Sequence, residues 1–386
     1  MRYVNQKQIG NFVADKRMVI PTKSPLKAAI NHMDADRKKI LLDLLHQYDD
    51  LGISKQIDYN KFYLYSIITH STAIEGSTVT EVEAQLLFDE GITSSKRTMM
   101  EQMMNLDLKA AYEYGMKWIK EHAPITMEWL VTLASKVMAH TGNEYNSPAG
   151  HFDASKGELR KLNVTAGVGG RSYMAFQKVP GKLAAFCEEL NRRRQDIEAG
   201  DAAAVYELSF WAHYELVTIH PWADGNGRTS RLLMNLLELE YGVLPTKVMK
   251  EDKAEYIQAL IDTRENDDID IFVNCMMRIH CRHLKSDIDQ YIISTTEKMV
   301  DKSALTKEMV DKWSIKPSLA EKLVDILVFM ADKHEITTDQ IVSKFGFTPT
   351  TAKRYMRQLT EFGYLESRGG NKNRSYEIIR NLTGNR

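Results

Sequence analysis

A base, a carboxylate, a glycine-flanked amide and two arginines are packed into the run His220-Pro221-Trp222-Ala223-Asp224-Gly225-Asn226-Gly227-Arg228-Thr229-Ser230-Arg231. These are the parts that phosphate chemistry requires. Gly225 and Gly227 permit backbone angles closed to residues with a side chain, so successive N–H groups can point into one anion-binding concavity. The apolar positions Leu232, Leu233, Leu236, Leu237 and Leu239 recur at helical spacing up to Gly242 and Pro245, so a helix starts at the glycines. Its N-terminal N–H groups and dipole favour an anion there, and Arg228 and Arg231, three apart, share a face one turn in. Asp224 offers a hard oxygen suited to magnesium that is also bridged by substrate phosphates. His220 offers a neutral imidazole to take a proton.

Upstream, Leu208, Trp211, Ala212, Leu216 and Ile219 also recur at helical spacing, so the site is a helix, a loop and a second helix. That context excludes a dinucleotide fingerprint, which needs a strand before its glycines. A P-loop is excluded because Gly181-Lys182 runs into Leu183. A further helix over Asn60 to Ile74 stops at Gly76 and leaves Glu75 at its C-terminus, where an acid opposes the dipole unless a cation answers it. Arg231 is the candidate cation. Extended runs at 160–165 and 171–174 around Gly167, Gly169 and Gly170 read as a hairpin.

The loop resembles the signature of the Fic nucleotidyltransferases: His, Pro, Phe, any, Asp or Glu, Gly, Asn, Gly, Arg, two of any, Arg. The one departure is Trp222 for Phe, which keeps an aromatic anchor. The resemblance implies AMP transfer from ATP to a hydroxyl of a target protein or of the enzyme itself. His220 would be the general base and Asp224 the ligand of Mg2+, with Gly225, Asn226, Gly227, Arg228 and Arg231 holding the phosphates. It also implies that Tyr256 borders the adenine, with Leu260, and that a target chain pairs along the flap at about 160–174. Ser71-Thr72-Ala73-Ile74-Glu75-Gly76 resembles the family's inhibitory motif, by which Glu75 pairs with Arg231 in the γ-phosphate position. The same residues leave two other activities open: nucleotide sensing in a DNA-binding regulator, against which the intact base at His220 speaks, and removal of AMP or transfer of another phosphoryl-linked group.

The chain has 386 residues and a net charge of −1, which allows several domains and predicts no general attraction to polyanions. Cys187, Cys275 and Cys281 form no disulfide framework and point to the cytoplasm, and no apolar run suits a signal peptide or membrane span. Cys275, His280, Cys281 and His283 match no zinc spacing. From His334 onward there are nine Lys and Arg against five Asp and Glu, a local charge of +4. Helices at 323–332, 338–345 and 349–362, then strands at 364–367 and 375–379, read as a winged helix like those appended to many Fic proteins, a module for DNA or a protein partner. The expected fold is therefore mainly α: an N-terminal helical region over 1–110 with the inhibitory helix at about 60–76, a catalytic core over 111–285, a helical linker over 286–320 and a winged helix-turn-helix over 321–386. Oligomeric state is left open.

Overall fold

The computed structural model describes residues 34–56, 58–166, 171–299, 302–331, 333, 335–370 and 374–379. The first 33 residues and the flap glycines Gly167, Gly169 and Gly170 lie outside the described residues. The chain divides into two compact units, Met1–Leu284 and Lys285–Arg386. The fold is mainly α.

In the first unit, helix α7 (Ala202–Ile219) is apolar around most of its circumference, with Val205, Leu208, Phe210, Ala212, Leu216 and Ile219 buried. A helix of that kind is enclosed on all sides. It packs along α8 (Asn226–Glu240), whose Leu232, Leu233, Leu236 and Leu237 are fully buried. Around this pair stand α1 (Asp34–Asp50), α2 (Tyr59–Ile74), α3 (Glu81–Glu90), α4 (Met99–Ile119), α5 (Met127–Val137) and α6 (Val179–Gln195), followed by α9 (Lys253–Asn266) and the part of α10 (Ile269–Met299) up to Leu284, where this unit ends. Leu108 and Tyr112 of α4, Leu130 and Leu133 of α5 and Leu183 of α6 share one core with the α7–α8 pair. Each such Leu enclosed is worth about 1.5–3 kcal/mol.

Helix α2 belongs to two cores at once: Tyr63, Ile67 and Ile68 sit in the first, and Ile74 sits with Phe210, Met234 and Tyr256 in another. Its ends are tied as well. Tyr63 Oη donates to the Pro245 carbonyl at 2.8 Å, and Lys253 Nζ donates to the Ile74 carbonyl at 2.7 Å, a cation where the helix dipole is negative.

The sequence reading places one hairpin in this unit; the structure has an additional one, β1 (Glu144–Ser147) against β2 (Gly150–Asp153). It carries no β-branched residue and one aromatic in each strand, so propensity gave only a weak signal. Tyr145 pairs with Phe152 across it, rings stacked 5.1 Å apart. The hairpin at 160–174 is paired at Thr165 and Ser172, with Tyr173 N–H on the Val164 carbonyl and Ala166 N–H on the Arg171 carbonyl.

The second unit runs α11 (Lys302–Trp313), α12 (Pro317–Met330), β3 (Ile336–Thr337), α13 (Thr338–Phe345), α14 (Pro349–Glu361), β4 (Leu365–Arg368) and β5 (Ser375–Ile378). The strands pair antiparallel in the order β3-β5-β4. Met309 of α11 is buried in one core with Leu323, Leu327, Ile341, Met356 and Tyr364. Part of the stretch read as a linker is therefore a packed helix of this unit. Thr337 and Thr348 cap α13 and α14, and Pro317 opens α12 ahead of the expected Leu323.

Candidate active site

Helix α7 ends at His220, whose φ of 52° and ψ of 61° are left-handed, a conformation costing about 1–2 kcal/mol for a residue with a side chain. Neighbouring groups hold it there. Arg160, only 1% exposed, donates from Nε to the His220 carbonyl at 2.7 Å, from Nη1 to Leu162 at 2.8 Å and from Nη2 to Met174 at 2.7 Å. Its own N–H donates to the Pro221 carbonyl. One buried guanidinium thus binds the His loop to both flanks of the flap. Trp222 fills the space beneath, and its Nε1 donates to the Gly157 carbonyl at 2.9 Å. Asn226 closes the loop from the other side: its Oδ1 accepts from Trp222 N–H and its Nδ2 donates to the Trp222 carbonyl. The Asn226 side chain therefore shapes the loop, leaving its N–H at the start of α8.

Gly225 has φ 80°, and a Cβ there would come within 2.6 Å of Met138 Sδ. Gly227 is bare for a different reason. A Cβ on it would lie 2.6 Å from Glu75 Oε1 and 3.1 Å from Arg231 Nη1, so the missing side chain is what admits a carboxylate to the first turn of α8. First-turn N–H groups have no partner within their own helix, and the dipole favours negative charge.

Arg231, 3% exposed, reaches α2 three times: Nε to Ser71 Oγ at 2.9 Å, Nη2 to the Ser71 carbonyl at 3.0 Å and Nη2 to Glu75 Oε1 at 2.7 Å. Burial works against the Glu75 charge, but Arg231, then Arg228 and Lys253, outweigh it and hold the carboxyl below its usual range. Burial likewise opposes the Arg231 charge, and Glu75 overcomes it, raising the guanidinium. Arg228 points inward to the Val137 carbonyl and Met138 Sδ, and its buried Nε has no hydrogen-bond partner among the described residues. Tyr256 is 1% exposed. The Arg231 guanidinium acts on its phenol, and the phenol oxygen lies 3.0 Å from Nε2 of the buried His213, so the structure places Tyr256 behind Arg231.

His220 is half-buried, with Nδ1 3.2 Å from the Val217 carbonyl, so Nδ1 carries the proton and Nε2 keeps its lone pair. Burial, aided by the charges of Arg160 and Arg264 and resisted by the Val217 carbonyl and Glu75, brings its pKa down to about 4. Its ring stacks on Tyr173 with centroids 3.8 Å apart. The Asp224 side chain is 55% exposed, accepts the Gly225 N–H at 2.6 Å and lies 3.9 Å from Arg228. Among the described residues no cluster of three or more His, Cys, Asp or Glu is placed to hold a metal. A lone exposed carboxylate fits an ion that takes its other ligands from water and phosphate, as Mg2+ does.

Residues 124–237, from the start of α5 through this loop and most of α8, match the family model "Fic/DOC family". The chain carries a Fic domain. It is similar to the protein adenylyltransferase fic-1 of Caenorhabditis briggsae, 27% identical over 70% of this chain and 49% of that protein. It is also similar to the protein adenylyltransferase Fic of Drosophila melanogaster, 26% identical over 68% and 48% respectively. The chain thus spans about half the length of the curated relatives it matches. In fold it resembles a Fic-domain-containing signaling protein from Bacteroides thetaiotaomicron (TM-score 0.55, 20% identity, 65% of this chain and 97% of that one) and Fic-1 from Caenorhabditis elegans (0.54, 22%, 72% and 80%).

The Fic domain so matched contains His220, Asp224, both motif arginines, Arg160 and Tyr173; Glu75 and Tyr256 lie outside it and are brought in by α2 and α9. Sequence reasoning assigned no role to Lys253, Arg264 or the Tyr173 ring, and gave Ser71 only a place in the inhibitory motif. Each acts across more than forty positions of sequence, and no local pattern names its partner. Among the described residues no helix is long and apolar enough to cross a membrane.

Proposed function

We propose that this chain is a self-inhibited protein adenylyltransferase. The observation that carries the reading is Glu75 Oε1 lying against Gly227 at the first turn of α8 while bonded to Arg231. A carboxylate of the chain itself takes the seat that a nucleotide phosphate needs. The names of the relatives, adenylyltransferases, support the donor and the reaction class. His220 takes the proton from a Ser, Thr or Tyr hydroxyl of a target lying along the flap; the hydroxyl oxygen attacks the α-phosphorus, and pyrophosphate leaves. The neutral Nε2 of His220 is competent for that role throughout the physiological range. Asp224 would hold Mg2+, which neutralises phosphate charge when bound. Gly225, Gly227, Arg228 and Arg231 receive the phosphates once Glu75 withdraws, and Asn226 keeps the loop in shape for them. We read the second unit as a winged helix for a partner; Arg357 and Arg368 would first have to exchange Glu361 and Glu377 for that partner's anions.

The test is transfer of label from ATP radiolabelled at its α-phosphate, on purified protein and on cell lysate, with wild type, Glu75→Gly and Glu75→Gly/His220→Ala. The released contact is a charge-assisted hydrogen bond worth about 1.5–3 kcal/mol, so Glu75→Gly should raise transfer roughly ten- to a hundredfold, and the double variant should abolish it. No label with folded Glu75→Gly would overturn the reading.

A further inference from the structure

The hydrogen bond from His220 Nδ1 to Val217 fixes the tautomer but not the ring plane, because an imidazole held at one atom can still rock about that bond. The plane is set by something else. Tyr173, on the returning flank of the flap, lies nearly parallel to the imidazole, 19° between planes and 3.8 Å between centroids. The Arg264 guanidinium lies over the same phenol ring, 4.9 Å from its centroid, with a buried Nε that has no hydrogen-bond partner among the described residues. A guanidinium set over a ring is attracted to it, and no oxygen competes at its buried Nε among the described residues. The backbone beneath is not free to drift, since Tyr173 N–H is bonded to Val164 and Arg160 grips the neighbouring Met174 carbonyl.

Resting on the transferase reading above, we propose that Tyr173, braced by Arg264, is a positioning residue for His220. The flap that seats the acceptor thereby also sets the plane of the base. A target chain paired along 160–174 bears on the same segment, so acceptor binding and base alignment are coupled through one aromatic ring. Stacking of this kind is worth about 0.5–1.5 kcal/mol. Loss of alignment by a fraction of an ångström lowers turnover without removing any contact to the donor, and a displacement of about 1 Å can cost 10²-fold.

The experiment uses the full chain carrying Glu75→Gly, with Tyr173→Phe, Tyr173→Leu and Arg264→Met added singly. Failure of Glu75→Gly itself to transfer AMP would sink the transferase reading and is scored separately. Given that activity, Tyr173→Phe should keep kcat within about twofold, because it keeps the ring. Tyr173→Leu should lower kcat roughly tenfold with the KM for ATP nearly unchanged, and Arg264→Met should fall between. The second readout is independent of turnover: nitrogen NMR of labelled histidine, with the His220 signals identified by their loss in His220→Ala. Tyr173→Leu should shift the His220 ring signals, because the stacked phenol is gone, and should move the titration midpoint upward as the imidazole becomes better solvated. Arg264→Met should move it upward too, by removing one of the two cations, Arg160 and Arg264, that face the ring, while Glu75, whose charge opposes them, is absent from this background. An unchanged kcat in Tyr173→Leu overturns the proposal whatever the spectrum shows. So does a lowered kcat with an unchanged His220 spectrum, or a fall in Tyr173→Phe as deep as in Tyr173→Leu.

Discussion

Arg160 and Arg231 are equally enclosed, at 1% and 3% exposure, yet they are answered in opposite ways. Arg160 meets three main-chain carbonyls and, among the described residues, no carboxylate; Arg231 meets a carboxylate as well as a serine. Carbonyls belong to the backbone and cannot be traded for a ligand, so the base end of the site is built once and stays. A carboxylate can be replaced by another anion, so the phosphate end is convertible. Burial pulls the Arg160 guanidinium down, whereas Glu75 holds that of Arg231 up.

The comparison breaks most visibly at Arg231. In a Glu75→Gly background, Arg231→Ala should cut AMP transfer by about a hundredfold or more, read as kcat/KM with labelled ATP, because the freed phosphate seat loses its cation. Equal activity in the two proteins would remove Arg231 from the phosphate site. Next, Arg160→Met should lower stability by about 3 kcal/mol in urea unfolding, since three part-buried carbonyls are left without their donors. A loss under about 1 kcal/mol would mean that the loop does not depend on this clamp. A third test uses pH. With His220 titrating at about 4, the base is neutral above that value and is switched off as pH falls through it, so the acid limb of kcat/KM for Glu75→Gly should sit well below the ordinary histidine value of 6.5. A midpoint near 6.5 would mean that the ring is solvated during turnover. The smallest effect is expected at an exposed arginine of the second unit. Arg357, 76% exposed and paired with Glu361 one turn on, should be replaceable by Ala within about 0.5 kcal/mol, and a larger loss would erase the contrast between enclosed and surface guanidiniums.

How much of this could be read from the sequence follows from how local each signal is. The helix–loop–helix around His220 and the termination of α2 at Glu75 were legible because glycines and apolar periodicity act within a few residues. The pairing of Glu75 with Arg231 was suggested by charge opposing a dipole, and the structure places the two 2.7 Å apart. Tyr256 shows the limit. The family resemblance set it beside the adenine, but only packing puts its hydroxyl behind Arg231 and its ring among His213 and Phe272. Asn226 shows another: the type suits phosphate binding, and the loop uses the side chain to staple itself to Trp222. The β1–β2 hairpin was invisible because its register rests on one aromatic pair.

The bare backbone at Gly227 has a thermodynamic corollary. Because one position at the start of α8 accepts either the Glu75 carboxylate or, on our reading, a nucleotide phosphate, occupancy by one excludes the other, and the two free energies are linked. Whatever stabilises the resting place of α2 must weaken the apparent hold on the donor by the same factor. The packing of Ile67 and Ile68 against α4 and α8, and the Tyr63 hydroxyl on Pro245, would then act as determinants of nucleotide affinity without touching a nucleotide. Affinity for the donor becomes a property of a hydrophobic interface, adjustable by a methyl group far from any phosphate.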